Sequence, residues 1–324
     1  MPILASSYRP PPFSIKNRHW QTIMPSFFRS EDLPSNLTRE EFHTPDGGII
    51  VLDWARVKSR KLLILSHGLC GSSRRHDILS LIKVFNREGW DCLAWNFRGT
   101  GASPVNNFKY TTQNSTYELH WITQYALEAG HYDKGAYSGY SMGGNLSALY
   151  LSREGDKLPP QVCGGAVFCA TVDILESNRS LHTMMGLLYT EHFLRPLIAQ
   201  IKLNAAQNPG VVKLDGLEKI HTFDAFDRRF TAPLNGFKDE IDYYVTASAY
   251  RHFSKLKVPL LLVAPRNDPF LAGECYPEEE ARRNPFLYLE MPRYGGHCGF
   301  PTPKSQDWWP AQRALSFLEQ CCLH

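Results

Sequence analysis

A serine lies between two glycines in the sequence Gly-Tyr-Ser-Met-Gly at residues 139–143. The residues before it predict a strand at about 135–140, and a helix is predicted to begin near Met142. A serine in a G-x-S-x-G sequence between a strand and a helix sits on a tight turn with its hydroxyl exposed, an arrangement called a nucleophile elbow. Ser141 is therefore the candidate nucleophile, and a chance glycine-rich turn is the alternative interpretation.

A serine nucleophile needs a base, and the base needs an acid that orients it. His297 follows a predicted strand at 285–291, and Asp268 follows one at 258–264. Both side chains would lie at the carboxyl edge of a parallel sheet, where Ser141 projects and where open α/β sheets bind ligands. The chain order Ser, Asp, His is the one expected for a nucleophile elbow on such a sheet.

Two backbone N–H groups are candidates for binding the negative charge that develops when this serine attacks a carbonyl group. One belongs to Met142, the residue after the nucleophile, and the other to Leu69, in the loop after a predicted strand at 61–65. Donors fixed in this way form an oxyanion hole, which stabilises the transition state of acyl transfer.

Other reactive side chains close to these positions are expected to have lesser roles. Asp173 also follows a predicted strand and is the competing acid to Asp268. His67 is interpreted as structural, hydrogen-bonded within its own loop. Cys70 and Cys298 are close to the site in sequence, but the elbow carries serine, so neither is assigned a catalytic role.

No motif predicts a metal or a cofactor. His182 and His192 are ten residues apart, which does not fit the i, i+4 spacing of a helical pair of metal ligands. The sequence NFRGTG (96–101) lacks the G-x-G-x-x-G register of a dinucleotide-binding loop. The predicted chemistry therefore relies on the side chains and backbone of the chain alone.

The surrounding pattern predicts buried strands that alternate with amphipathic helices. Such alternation is typical of an α/β fold, with a largely parallel sheet covered by helices on both faces. Ser115 and Glu118 are predicted to form a capping box at the start of one of these helices. The predicted strands are two within 40–57, then 61–68, 91–97, 135–140, 164–170, 258–264 and 285–291, and the predicted helices include 76–89, 115–129 and 307–320.

The length of 324 residues allows either two domains or one large α/β domain with an insertion. The interval between the strands at 164–170 and 258–264 shows helical spacing and no clear strand, and a structureless loop of that size is improbable in a compact domain. We therefore predict a single domain over 1–324, with an N-terminal arm at 1–38 and a helical lid at 174–250.

The composition excludes several classes of protein. Lys and Arg total 35 and Asp and Glu total 32, a net charge of +3 that gives no general attraction for nucleic acid. The apolar runs are shorter than the ~18 residues of a transmembrane helix, so stable membrane insertion is not expected. The first residues do not resemble a secretory signal, and the eight cysteines form no CxxC. We therefore predict reduced, mostly buried thiols and a cytoplasmic location, with zinc binding by cysteines as the less favoured alternative.

Several segments resemble the α/β-hydrolase superfamily, and specifically its YheT-like branch. They are the elbow, HGLCGSS (67–73), NFRGTGAS (96–103), RNDPF (266–270), YGGHCGF (294–300), the arm FSIKNRHWQTIMPSFFRS (13–30) with its H-x-Q-T sequence, and PLNGFKDEIDYY (233–244) in the predicted lid. The resemblance covers about residues 8–318. It departs from the family at Asn267, where a second Asp is frequent, so that Asp268 is the one carboxylate at this point.

The resemblance implies an α/β-hydrolase fold with a mostly parallel sheet of the eight-stranded type. It also implies a serine hydrolase that cleaves carboxylic esters with short- to medium-chain acyl groups, with Ser141, Asp268 and His297 on the triad positions. A small-molecule acyl ester is the implied partner, and the oligomeric state stays open. Three alternatives remain: acyl transfer to an alcohol with the same triad, hydrolysis of lipid esters, and a catalytically silent binding scaffold.

Apolar side chains in the predicted lid and arm have two interpretations each. An acyl pocket and ordinary core packing are equally expected for Met184, Met185, Leu187, Phe193, Phe270 and Phe300. Contact with a membrane surface is one interpretation of Trp20, Phe27 and Phe28, and packing against the core is the favoured one.

Overall fold

The computed structural model describes residues 3–12, 14–105, 108–303 and 306–322. Residues 1, 2 and 13, which belong to the predicted arm, lie outside this part of the chain. Within the described residues, one sheet contains nine strands. They are β1 (Ile3–Leu4), β2 (Leu37–His43), β3 (Ile49–Ala55), β4 (Lys61–Ser66), β5 (Asp91–Trp95), β6 (Lys134–Tyr140), β7 (Val162–Phe168), β8 (Leu260–Val263) and β9 (Leu287–Glu290).

From β4 to β7 the helices alternate with the strands, as the sequence predicts. They are α1 (Arg18–Phe28), α2 (His76–Arg87), α3 (Thr116–Ala129), α4 (Met142–Glu154), α5 (Ile174–Ser180), α6 (Met184–Gln207), α7 (Phe223–Phe226), α8 (Ala232–Leu234), α9 (Glu240–Ala247), α10 (Glu278–Arg283) and α11 (Trp309–Cys322). Across the described residues, every helix is too short or too polar to span a lipid bilayer.

The strand order across the sheet is β1-β9-β8-β7-β6-β4-β5-β3-β2. Strands β4 to β9 pair in parallel with one another, and β2 and β3 are antiparallel at one edge. The predicted mostly parallel α/β fold is confirmed. The two-residue strand β1 pairs in parallel with β9, so the N-terminal segment adds a ninth strand that the sequence did not predict.

Helices cover both faces of the sheet, and the strands are apolar on both faces for that reason. Successive residues of β4 show the alternation. Leu62 and Ile64 pack in the apolar cluster that includes residues of α3 and α4, whereas Leu63 and Leu65 pack in the cluster that includes residues of α2 and α11. This double burial makes the central strands rigid supports for the loops at their carboxyl ends.

The segment 174–250 lies between β7 and β8 and contains α5 to α9. Its buried apolar side chains belong mainly to two small clusters that are separate from the two clusters on the sheet. Several of its large apolar side chains are exposed instead, among them Met184, Leu187 and Leu188 of α6. The division of the chain into one domain, an arm at 1–38 and a lid at 174–250 stays a prediction.

One cysteine prediction is wrong. Cys163 in β7 and Cys322 at the end of α11 form a disulfide, with their Cα atoms 5.5 Å apart, although 159 residues separate them in sequence. The packing of α11 against β7 brings the two residues together, and no local spacing reveals such a pair. The cysteines at 70, 92, 169, 275, 298 and 321 are free thiols.

The predicted capping box is also wrong. Ser115 is the N-cap residue of α3, but its side chain makes no capping hydrogen bond and accepts the N–H of Thr112 instead, at 2.9 Å. Glu118 is fully buried and pairs with the equally buried guanidinium of Arg98, with 2.9 Å between Nε and Oε1. A buried guanidinium needs a carboxylate partner, so the tertiary contact replaces the local one.

Candidate active site

The site begins at the junction of β6 and α4. Ser141 has φ 52° and ψ −121°, a conformation that L-residues rarely adopt, and the strained turn presents its hydroxyl to the cavity described below. A Cβ at Gly143 would lie 2.3 Å from the backbone oxygens of Ser66 and His67. Glycine is therefore required there, and the predicted elbow is present in its expected geometry.

Three of the predicted site residues lie in one hydrogen-bonded line. His297 Nε2 is 2.9 Å from Ser141 Oγ, and His297 Nδ1 is 2.9 Å from Asp268 Oδ2 and 3.1 Å from Oδ1. Asp268 is 1% exposed, so its charge acts on the imidazole with little solvent screening. This arrangement holds the Nδ1–H tautomer of the imidazole and leaves Nε2 free to accept the serine proton.

The loops that carry the acid and the base are tied to α1, near the start of the chain. Gln21 is fully buried, and its Oε1 accepts the Asn267 side-chain amide at 2.9 Å and the Gly295 N–H at 3.0 Å. Thr22 Oγ1 accepts the N–H of His297 at 2.9 Å. Gln21 and Thr22 belong to the H-x-Q-T sequence of the arm. Their role was not visible in the sequence, because their hydrogen-bond partners lie more than 240 residues away.

Arg18 and Asn267 complete this support. Arg18 Nη2 donates to the backbone oxygen of Asp268 at 2.8 Å, and Asn267 Oδ1 accepts the N–H of Gly296 at 3.0 Å. Asn267, the point of departure from the family pattern, thus connects the loop of the acid to the loop of the base.

Opposing influences act on the protonation of the base. Burial lowers the pKa of His297, but the negative charge of Asp268, followed by that of Cys298, more than offsets it, and the pKa is raised above its ordinary value. The imidazolium form is therefore stabilised at the point where a proton from Ser141 would arrive.

The competing groups lie elsewhere or are unreactive. Asp173 caps α5 and accepts the N–H of Glu176 at 3.3 Å, so it is not the partner of the base. His67 is fully buried, which lowers its pKa to about 4, and its Nε2 accepts the N–H of Phe97 at 3.1 Å. Burial raises the pKa of Cys70 to about 12, which keeps this thiol protonated.

Ser141 opens into a mostly apolar cavity of about 170 Å³. Leu69 and Met142 line it beside the serine, as expected for residues that supply oxyanion donors. Residues of α6, including Leu197 and Ile201, form part of its far wall. An apolar cavity of about 150 Å³ holds a benzene-sized ligand, so this space suits a small apolar group.

The predicted acyl-pocket residues divide into two groups. Phe193 and Phe270 line the cavity. Met184, which is 85% exposed, faces solvent, as do Met185 and Leu187 to a lesser degree. Phe300 is buried against Tyr8 and Trp309 in the core, so the pocket interpretation is wrong for it and for the three exposed residues. Most residues that line the cavity, such as Ile201, are not among the candidates from the sequence analysis.

The arm aromatics also differ from their favoured interpretation. Trp20, Phe27 and Phe28 are 44%, 76% and 60% exposed, so they do not pack into the core.

Among the described residues, one group of three side chains has ligand atoms close enough to hold a metal ion: Cys169, His297 and Cys298, with all three atoms within 4.8 Å of one another.

Comparison with known proteins agrees with this geometry. The sequence profile of the alpha/beta hydrolase fold matches residues 61–211. The chain is 29% identical over 295 residues to the Escherichia coli (strain K12) protein named "Putative esterase YheT", covering 88% of this chain and 84% of that one. It is 28% identical over 322 residues to the Mus musculus protein "Phospholipase ABHD3", covering 96% and 76% of the two chains.

A solved structure shows the same fold. The Pyrococcus furiosus esterase Pf2001 superposes with a TM-score of 0.60 at 18% identity, over 90% of this chain and 97% of that one. Together with the nucleophile elbow between β6 and α4, and with relatives that match most of the chain, this similarity has one conclusion. The chain has an α/β-hydrolase fold, and over most of its length its sequence is similar to the protein named YheT.

Proposed function

We propose that the chain is a serine hydrolase that cleaves carboxylic esters with short- to medium-chain acyl groups. The observation that carries this proposal is the continuous line from Asp268 through His297 to Ser141, with contacts of 2.9 Å at each end of the imidazole. Such a line beside an apolar cavity is suited to a covalent acyl intermediate. The names esterase and phospholipase among the relatives support the same class of reaction.

In the proposed acylation step, Ser141 Oγ attacks the ester carbonyl carbon while His297 Nε2 takes the serine proton. The carbonyl oxygen becomes negatively charged and accepts hydrogen bonds from the N–H groups of Leu69 and Met142. In comparable sites, one such donor lowers the barrier by about 3–4 kcal/mol. Asp268 keeps the proton on Nδ1 and stabilises the imidazolium. Collapse of the intermediate breaks the C–O bond, and His297 gives its proton to the leaving alkoxide.

In the proposed deacylation step, water takes the place of the departed alcohol. His297 removes a proton from this water as its oxygen attacks the acyl carbon, and the oxyanion forms again between the same two N–H groups. Breaking of the bond to Ser141 Oγ releases the carboxylic acid, and the proton returns from His297 to the serine. An alcohol in place of water would give acyl transfer, so measured partition between water and added alcohol distinguishes the two reactions.

The test of the nucleophile combines labelling and turnover. A fluorophosphonate probe is expected to label the folded wild type and to leave Ser141→Ala unlabelled, with both proteins equal in circular dichroism. A panel of esters with increasing acyl length should lose turnover by about 10⁴-fold or more in the same variant. Labelling or turnover that survives the substitution would refute the nucleophile, and an unlabelled wild type would favour the silent scaffold.

A second candidate is hydrolysis of esters presented at a lipid surface. The observation that favours it is the set of exposed apolar side chains on α1 and α6, two helices that contact each other where His19 Nδ1 lies 3.0 Å from Tyr189 Oη. Trp20 and Leu188, the residues next to this contact, are both exposed. Relatives named phospholipase and monoacylglycerol lipase point to the same class. Co-sedimentation with liposomes tests whether the protein binds a lipid surface, and Trp20→Ala should reduce the bound fraction. If the wild type stays in the supernatant, this candidate is refuted.

A cytoplasmic location stays part of the proposal. It is supported by the six free thiols, since reducing compartments keep thiols in that state. The Cys163–Cys322 disulfide is the observation that opposes it. Mass spectrometry of alkylated protein from cells would show which state of this pair prevails.

A further inference from the structure

We propose that Cys169, His297 and Cys298 form an inhibitory binding site for a thiophilic divalent cation, with zinc as the representative ion. No sequence motif indicates these three ligands, because Cys169 lies 128 residues before His297. The inhibition rests on the proposed function, whereas the binding of the ion does not.

The ligand geometry is the first argument. The two sulfur atoms and one imidazole nitrogen lie within 4.8 Å of one another. In a tetrahedral zinc site, with bonds of about 2.3 Å to sulfur and 2.0 Å to nitrogen, ligand atoms are separated by roughly 3.5–3.8 Å. Contraction by at most about 1.3 Å would therefore complete three corners of the tetrahedron. The fourth corner is left to water, as in open zinc sites with three protein ligands.

The backbone holds the two cysteines in place. Cys169 follows β7 directly, and its Sγ accepts the N–H of Cys298 at 3.1 Å and contacts the Gly296 oxygen at 3.7 Å. Both cysteines have left-handed backbones, with φ of 50° and 59°. This conformation costs an L-residue about 1–2 kcal/mol relative to the right-handed one. The thiols are thus fixed side by side beneath the base before any ion arrives.

The charges in the site favour a divalent cation. Two thiolates and one neutral imidazole compensate the 2+ charge of zinc, so the occupied site is neutral and compatible with burial. The backbone N–H of Cys298 donates to Cys169 Sγ at 3.1 Å, and Cys298 directly follows His297 in the chain, so a Cys298 thiolate would lie beside both other ligands. Arg75 also lies close enough to interact with this thiolate, and it pairs with Asp77 at 3.3 Å, which limits its repulsion of an incoming cation.

An ion at this site is incompatible with turnover. Nε2 of His297 faces Ser141 and Nδ1 faces Asp268, so both ring nitrogens already take part in the proposed proton transfer. Coordination through Nε2 removes the base, and coordination through Nδ1 separates it from its orienting acid. Either mode stops acylation without any change in the cavity that receives the substrate.

The binding test uses Ser141→Ala, which keeps all three ligands and needs no activity. With a non-thiol reductant present, equilibrium dialysis should find one zinc ion per chain at low micromolar free zinc, and cobalt should give a thiolate-to-metal charge-transfer band in the near ultraviolet. Adding Cys169→Ser and Cys298→Ser should weaken binding by about 100-fold. The matched control is Cys70→Ser in the same background, which removes a thiol of the cavity wall and should bind zinc as before.

Two results would overturn the proposal: no zinc bound by Ser141→Ala, or equal binding when the two cysteines are replaced. If Cys169→Ser lowers the thermal midpoint so far that the protein is not folded, Cys298→Ser alone decides, since its side chain is only partly buried. In the wild type, zinc should inhibit ester turnover and a chelator should restore it. A wild type that has no esterase activity but still binds one zinc would refute the proposed function and would not affect the proposal of a zinc site. A wild type that is active and binds zinc without inhibition would refute the inhibitory role.

Discussion

The carboxyl edge of the sheet and the segment 174–250 are built in different ways. At the sheet edge, Ser141, Asp268 and His297 are fixed by buried strands on both sides and by two or more hydrogen bonds each. In the segment, the helices α5 to α9 enclose two small apolar clusters and leave many large apolar side chains exposed. Under the proposed function the two regions have different tasks: the edge would fix the reacting atoms, and the segment would shape the space for the substrate.

The largest expected effect tests whether chemistry resides at the sheet edge. Asp268→Asn keeps the size of the side chain but removes the charge that selects the imidazole tautomer, and kcat should fall by about 10⁴-fold. Asp173→Asn is the matched control, because Asp173 caps α5 and should leave kcat within about tenfold. Steady-state kinetics on one short ester decides, and a comparable loss in both variants would contradict the assignment of the acid.

A second test compares the rigidity of the two regions. Gly143→Ala places a Cβ 2.3 Å from two backbone oxygens of the sheet edge, and it should lower the free energy of unfolding by about 3 kcal/mol. Gly210→Ala, at φ +86° in the segment, meets no atom within 4 Å and should lower it by about 1 kcal/mol. Urea denaturation followed by circular dichroism measures both, and equal losses would remove the proposed contrast.

A third test asks whether the segment selects the substrate. Leu197 of α6 lines the cavity, and Leu197→Trp should fill part of the space beside it. The kcat/KM should therefore fall by about 10–100-fold for esters with longer acyl chains and should change little for acetyl esters. Leu203→Trp, on the same helix but exposed to solvent, is the control and should not change the chain-length profile. A uniform loss over all esters in Leu197→Trp would indicate damage to the sheet edge instead.

The smallest expected effect concerns pH. His297 must be neutral to accept a proton, so kcat/KM should rise with pH through the His297 pKa, which lies above its ordinary value because Asp268 and Cys298 offset the effect of burial. Cys298→Ala removes one negative group and should move this rising limb toward lower pH, by about one unit or less. Cys321→Ala, a free thiol on α11, should leave the curve in place, and a shift to higher pH in Cys298→Ala would contradict the assigned charges.

The sequence predicted what depends on local pattern. The elbow around Ser141 was recognisable because its glycines and its strand-turn-helix context lie within a few residues, and Asp268 and His297 followed from strand ends. The fold class followed from buried strands alternating with helices. In each case, short-range pattern and the geometry of a parallel sheet were sufficient.

What failed depended on contacts between distant parts of the chain. Glu118 was assigned to a local cap, but a buried Arg98 recruits it. The disulfide of Cys163 and Cys322 follows from helix packing that no spacing encodes. The role of Gln21 was not visible because its partners at Asn267 and Gly295 are 246 and 274 residues away.

The tie between α1 and the loop of His297 has a consequence for how the protein is made. As the chain leaves the ribosome, α1 is synthesised long before the partners of its buried Gln21, which follow 246 and 274 residues later. Such long-range contacts form late in folding, because their loop-closure entropy is offset only when the intervening structure is in place. The reacting groups therefore reach their final alignment only after the loop of His297 has been synthesised, which delays esterase activity until β9 has joined the sheet.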